Sequence, residues 1–225
     1  MARHLLTGAG SGIGAALAEV LHARGDSLVL LARSPERAEE LAAQWDGAQT
    51  LVADLTDPRA IADLQLPNLL DSLVHAAGAV SLGPVAELAD QQWREQIEVN
   101  LLAPAALTRL ALPALRSSRG TVVFVNSGAG LHANPQWSAY AASKHGLRAL
   151  ADSLRAEERA NGVRVTSVYL GRTATAMQER VHEQEGKAYD AGDWIRPETV
   201  ADAIRHVLDL PRDATVPDVT LSPGP

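Results

Sequence analysis

The chain has 225 residues, 46% of them hydrophobic and 21% charged, which suits a globular domain and excludes a disordered or collagen-like chain. It has no cysteine, so structural disulfides, thiolate catalysis and Cys-ligated zinc or iron–sulfur sites are excluded. The formal charge of −7 argues against a nucleic-acid partner, which calls for a basic face. No apolar run approaches the roughly 20 residues of a membrane span. Met1 to Thr7 leads directly into a glycine loop, which leaves no room for a signal peptide. The expectation is a cytoplasmic protein folded as one domain over residues 1–225.

In chain order, short apolar runs alternate with stretches of helical periodicity. Leu5-Leu6-Thr7 is a strand, and Ile13, Leu17, Val20 and Leu21 behind it recur at helical spacing. Ser27 to Ala32 is a continuous apolar run, as in a strand buried on both faces. Ser34-Pro35 and Asp57-Pro58 read as helix starts, a cap followed by proline. Further strands are predicted at Thr50–Ala53, Leu73–His75, Thr121–Val125, Val163–Val168 and Val216–Leu221. Asp90 is predicted to cap a long helix running through Asn100 towards Leu115, and other helices cover Ser138–Ala160 and Thr199–Leu208. This alternation predicts an α/β fold: a Rossmann-like, doubly wound, mostly parallel sheet of six or seven strands with helices on both faces. The polar segment Gln178 to Asp193 follows the sixth strand, at the end of the sheet where ligands bind, and is read as a mobile lid.

Thr7-Gly8-Ala9-Gly10-Ser11-Gly12-Ile13-Gly14 joins the first strand to the first helix. Glycines allow close backbone approach, and the helix N-terminus offers free N–H groups to a pyrophosphate. The end of the second strand decides which dinucleotide. An acidic residue there would bind the ribose 2′-OH, but Ala32 and Arg33 stand in its place. Arg33 can grip a 2′-phosphate, with Ser11 and Ser34 as added hydroxyl donors, so NADP(H) is expected over NAD(H).

Tyr140 and Lys144 are four residues apart on one helix face, in a chain with only three tyrosines and two lysines. An ammonium beside a phenol lowers its pKa from about 10 towards a usable value. Ser127, at the carboxyl end of the fifth strand, points into the ligand crevice and can hold a substrate oxygen while Tyr140 moves the proton. Asn100 sits mid-helix, where asparagine is mildly unfavourable.

With these residues on the page, the chain resembles the short-chain dehydrogenase/reductase family, in its compact single-domain branch, over almost its full length. The resemblance rests on the Thr7–Gly14 loop, Asp54 after the third strand, Asn100, Ser127, Tyr140 and Lys144 in order. Two motifs depart from the family pattern. His75-Ala76-Ala77-Gly78 has His75 where the family has asparagine, and Leu170-Gly171 replaces Pro-Gly. The resemblance implies hydride transfer between nicotinamide and a carbonyl or alcohol carbon. Tyr140 would be the acid in reduction and the base in oxidation, with Lys144 holding the ribose and depressing the tyrosine pKa. Ser127 would polarise the carbonyl and Asn100 would position a water linked to Lys144. Asp54 and Leu55 would flank the adenine. Ala76, Ala77 and Gly78, then Gly171, Thr173 and Thr175, complete the expected cofactor contacts. The short C-terminal end favours a homodimer, through the helices containing Asn100 and Tyr140, over a tetramer. A cofactor-bound sensor with little turnover is the competing reading.

The remaining features read as ordinary. His22, His132, His145, His182 and His206 lack metal-ligand spacing with carboxylates, so no metal site is expected. Trp45 and Trp93 are packing residues, Trp137 is near the tyrosine, and Arg172 is a solvated arginine. The substrate is a small carbonyl or alcohol compound, met by a partly apolar wall of Leu82, Leu131, Trp137, Leu170 and Met177.

Overall fold

The computed structural model describes residues 1–224. Its strands are Arg3–Thr7 (β1), Ser27–Ala32 (β2), Gln49–Val52 (β3), Ser72–His75 (β4), Thr121–Ser127 (β5), Arg164–Leu170 (β6) and Asp218–Leu221 (β7). They form one seven-stranded sheet in the order β3-β2-β1-β4-β5-β6-β7, with every neighbouring pair parallel. The chain winds one way from β1 to β3 and the other way from β4 onward. The switch point therefore lies between β1 and β4, where an open parallel sheet leaves a crevice at the carboxyl ends.

The helices are Gly12–Ala23 (α1), Pro35–Gln44 (α2), Pro58–Ala62 (α3), Asp90–Ile97 (α4), Ala103–Ser118 (α5), Ser138–Glu158 (α6), Ala176–Glu185 (α7) and Pro197–Asp209 (α8). The core lies in two layers, one on each sheet face. Side chains alternate along a strand, so Leu5 and Phe124 pack with α3, α5 and α6, while Leu6, Val123 and Val125 pack with α1, α2 and α8. This explains why the strands read as unbroken apolar runs: both faces are covered, and each buried leucine contributes about 1.5–3 kcal/mol. Trp45 is fully buried among them.

The helix expected from an Asp90 cap is interrupted and starts differently. Ala89 is the N-cap, and Gln92 Oε1 accepts a hydrogen bond from its N–H at 3.0 Å. Residues Glu98–Leu102 then form a π turn between α4 and α5. Pro104 accounts for its place: it has no N–H to donate to the Asn100 carbonyl four residues back, and its ring crowds that carbonyl. The polar segment after β6 begins as a helix, α7. Thr175 caps it by accepting from Gln178 N at 3.2 Å, and Gly186 ends it with φ of +65°.

Candidate active site

The glycine loop closes over the switch point. Thr7 Oγ1 accepts hydrogen bonds from the N–H groups of Ala76 and Ala77, both 3.1 Å, which ties the loop to the end of β4. Gly8 has φ of +72°, and a Cβ there would lie 2.7 Å from Ala77 N. A side chain at Gly14 would collide with the Gly8 carbonyl, so α1 can begin this close to the strand only with glycine at both places. Ser11 is the N-cap of α1, but its hydroxyl makes no cap bond, leaving the first N–H groups of the helix without a side-chain acceptor. The residues present fit a dinucleotide pyrophosphate: a glycine cradle, Ile13 beside it, and a helix N-terminus facing the cleft.

At the end of β2, Arg33 is exposed and Ser34 caps α2 by accepting from Arg37 N at 3.3 Å. Sequence reasoning missed Arg37. Its guanidinium donates to the Gly10 carbonyl and pairs with Glu40, so a second cation lies against the glycine loop beside Arg33's end of the strand. The signal available was its place one turn into a helix that starts at this strand end. Asp54 accepts from both Thr56 N and Thr56 Oγ1 at 2.8 Å, and Leu55 packs half-buried against the core.

Tyr140 and Lys144 share one face of α6 and are both buried. The expected lowering of the tyrosine pKa is not what the geometry gives. Burial pushes the Tyr140 phenol up to about 12, and a hydrogen bond with Ser127 draws it only partly back. Lys144 does not offset this, because its Nζ lies 5.7 Å from the Tyr140 ring centroid and donates instead to the Val125 carbonyl at 3.0 Å. Burial lowers the Lys144 ammonium itself to about 8.

Neighbouring side chains fix this pair in position. Asn100 Nδ2 donates to the Ala79 carbonyl at 2.8 Å and to Ser143 Oγ at 3.0 Å, while its Oδ1 accepts from Ala79 N at 2.8 Å. Ser143 Oγ in turn donates to the Tyr140 carbonyl at 2.7 Å. Asn100 thus bridges the loop after Gly78 to the Tyr140 turn, and its side-chain amide is fully used. Ser127 sits at the end of β5, where its Oγ accepts from Ala129 N at 3.2 Å. Asn126 orients it, accepting from Ser127 N at 2.8 Å and donating to the Lys144 carbonyl at 3.2 Å. The Trp137 ring meets Tyr140 edge-on at 5.7 Å. His75, in the family's asparagine position, stacks on Phe124 at 5.0 Å and bonds Thr108 Oγ1 through Nε2 at 2.9 Å. Burial, helped by the Lys144 charge, lowers the His75 pKa to about 3.

These elements enclose a cleft of about 1070 Å³. Of the expected residues, Gly8, Ser11, Gly12, Ile13, Ala76, Ala77, Gly78, Ser127, Tyr140, Lys144, Gly171, Thr173 and Thr175 line it. Gly10, Gly14, Arg33, Ser34, Asp54, Leu55 and Asn100 are not part of that lining. Trp137, Leu170 and Met177 are wall residues as expected, but Leu82 and Leu131 are not. Leu82 instead contributes its backbone N–H, donating to Gln184 Oε1 of α7 at 2.7 Å across the mouth.

Arg172 is not a solvated arginine. It donates two 2.8 Å hydrogen bonds to the Glu185 carboxylate, lies 3.2 Å from His182 Nε2, and stacks its guanidinium 5.4 Å from the Trp194 ring. This cluster anchors α7 to the end of β6. Thr173 Oγ1 donates to the Gly171 carbonyl at 3.2 Å, and the Gly171 N–H donates to Leu221 O at 2.8 Å. The Thr175 methyl would lie 3.0 Å from a Cβ on Gly12, so the cap of α7 faces the glycine loop across the cleft.

The chain belongs to the short chain dehydrogenase family, whose model matches residues 3–186. It is 36% identical over 205 residues to dehydrogenase/reductase SDR family member 7B of Bos taurus, covering 84% of this chain and 63% of that protein. It is 30% identical over 226 residues to an oxidoreductase of Staphylococcus epidermidis, covering 97% and 96% of the two chains. A short chain dehydrogenase/reductase family protein of known structure superposes with a TM-score of 0.86 at 31% identity, over 98% of this chain and 95% of the other. An alcohol dehydrogenase from Thermococcus sibiricus, solved with 5-hydroxy-NADP, gives a TM-score of 0.82 at 26% identity, over 98% and 96%. A 4-hydroxyisoleucine dehydrogenase mutant solved with NADH and succinate gives 0.85 at 26%, over 99% and 97%. Among the described residues no helix is long and apolar enough to cross a membrane.

Proposed function

We propose that the chain is an NADP(H)-dependent dehydrogenase/reductase. It moves hydride between nicotinamide and the carbonyl or secondary-alcohol carbon of a small, partly apolar substrate. The observation that carries this reading is the convergence of Tyr140, Lys144 and Ser127 in the cleft that begins at the glycine loop. Relatives solved with NADP and NADH derivatives support a nicotinamide cofactor. The bound cofactor supplies or accepts the hydride; the chain's own residues manage orientation and the proton.

Tyr140, protonated throughout the neutral range because it is buried, gives its proton to the carbonyl oxygen in reduction. Ser127 donates a hydrogen bond to the same oxygen. Lys144, charged below about pH 8 and 5.7 Å from the Tyr140 ring, is the cation nearest the phenolate left behind. In the oxidative direction the phenol must lose its proton first, so that direction gains as pH rises. Asn100 acts as a positioning residue, holding the loop at Ala79 against the Ser143–Tyr140 turn. Asp54 and Leu55 flank the adenine. The NADP preference rests on Arg33, on Arg37 beside it, and on the missing carboxylate at the end of β2. Residues 178–193 cover the bound substrate as a lid. The working assembly is a cytoplasmic homodimer through the segment containing Asn100 and the helix containing Tyr140; Leu102, two residues from Asn100, is 47% exposed.

The test is NADPH oxidation against a panel of ketones, aldehydes, diketones and quinones, repeated with NADH. Turnover with NADPH, at least tenfold better than with NADH, is expected. Equal use of NADH removes the 2′-phosphate assignment. Silence across the panel despite tight NADPH binding favours a cofactor sensor instead.

A further inference from the structure

We propose that the substrate carries a carboxylate and that Arg180 of α7 receives it. This rests on the reductase reading above and names the class of substrate for that same cleft. Three basic side chains line the cleft: Lys144, Arg172 and Arg180. Two are already engaged, Lys144 with the Val125 carbonyl and Arg172 with the Glu185 carboxylate. Among the described residues, Arg180 has no carboxylate within ion-pair distance.

Helical spacing brings Arg180 to the mouth. The Met177 methyl reaches within 3.6 Å of where a side chain on Gly78 would begin, and Gln184 accepts from Leu82 N. These two contacts, two helical turns apart, both face the loop of residues 78–82. Arg180 lies three residues after the first and four before the second, on the edge of that same face. Its stem is exposed, but the helix beneath it is fixed by the Arg172–Glu185 pair and by His182 Nδ1 on the Gln178 carbonyl at 2.8 Å. A guanidinium presented from an ordered helix loses less freedom on binding than one on a loop.

The lining that Arg180 and Tyr140 share also includes the apolar side chains of Met177, Val80 and Trp137. That combination fits an oxo acid or hydroxy acid: a reacting oxygen at Tyr140 and Ser127, a short aliphatic spacer, and a carboxylate at Arg180. The two carboxylates that line the cleft, Glu19 and Glu198, belong to α1 and α8, neither of which carries a reacting side chain.

The experiment compares acetoacetate and levulinate with their methyl esters, using NADPH, in the wild type, Arg180→Met and Arg180→Lys. The wild type should favour each acid over its ester by about tenfold or more in kcat/KM, as a charge-assisted contact gives. Arg180→Met should lower that ratio about tenfold through KM, and Arg180→Lys should restore part of it. A wild-type ratio near one, or an unchanged ratio in Arg180→Met, overturns the proposal. So does loss of NADPH affinity in Arg180→Met with the ratio intact, which would assign the arginine to a cofactor phosphate. If neither acid nor ester turns over, calorimetry of levulinate with the NADP-loaded protein decides. Binding that Arg180→Met abolishes sustains the carboxylate site while the reductase reading fails; absence of binding overturns it.

Discussion

Lys144 is the clearest place where the site works against the fold, and replacing it with methionine should stabilise the cofactor-free protein. Burial lowers its pKa from 10.5 to about 8, and at 1.36 kcal/mol per pKa unit this is about 3 kcal/mol of penalty at pH 7. The hydrogen bond from Nζ to the Val125 carbonyl, lost in the variant, returns about 1 kcal/mol. The net expectation is Lys144→Met more stable by about 2 kcal/mol. The sign fixes the pH window. The folded pKa lies below the unfolded one, so the stability carried at this position is fully present above pH 10.5 and lost as pH falls through about 8. The assay is urea unfolding of wild type and variant at pH 7, 8, 9 and 10, with matched m-values. The gap should be widest at pH 7 and should close as pH rises. A variant less stable than wild type at pH 7, or a gap that does not change with pH, would refute the reasoning. The same variant should lose turnover, since a charge costly to bury is retained here for its chemistry.

Other outcomes follow from the same geometry. His75, with a pKa of about 3 against 6.5 unfolded, should make the fold acid-sensitive: its stability is full above pH 6.5 and is lost as pH falls towards 3. At pH 5 the loss is about 2 kcal/mol, and His75→Asn should show a flatter acid limb in denaturation curves. Arg33→Ala and Arg37→Ala should each weaken NADPH binding about tenfold or more while leaving NADH nearly unchanged, read by fluorescence titration; equal losses for both cofactors would contradict the 2′-phosphate role. Arg172→Ala breaks the paired contact to Glu185 and the stacking on Trp194, so limited proteolysis should cut within residues 176–193 where the wild type resists. Gly8→Ala must place a Cβ 2.7 Å from Ala77 N at φ of +72°, costing about 1–3 kcal/mol and cofactor affinity in a binding titration.

Most of the sheet was legible because its strands are covered on both faces and read as unbroken apolar runs. Ser27–Ala32 has the predicted bounds, and β5 and β6 extend past theirs because Asn126, Ser127 and Tyr169 continue the ladder to the cleft. The break between α4 and α5 is not legible from helical periodicity alone; Pro104, four residues after Asn100, carries it. The spacing of Tyr140 and Lys144 placed them on one face, but spacing carries no information on desolvation. Hence the direction of the tyrosine shift was missed, and only the buried geometry supplies it. Arg172 reads as solvated in sequence because its partner, Glu185, lies thirteen residues beyond it and meets it only because α7 folds back. Arg37 escaped because its contact with Gly10 spans 27 positions.

The central claim is that Tyr140 transfers the proton in a nicotinamide-dependent reduction. It is tested most directly by Tyr140→Phe, measured as single-turnover NADPH oxidation with a ketone the wild type accepts, alongside NADPH affinity. The account predicts unchanged folding, NADPH affinity within about threefold of wild type, and a rate lower by about a hundredfold or more. A variant that binds NADPH and reduces the ketone at near the wild-type rate would contradict it.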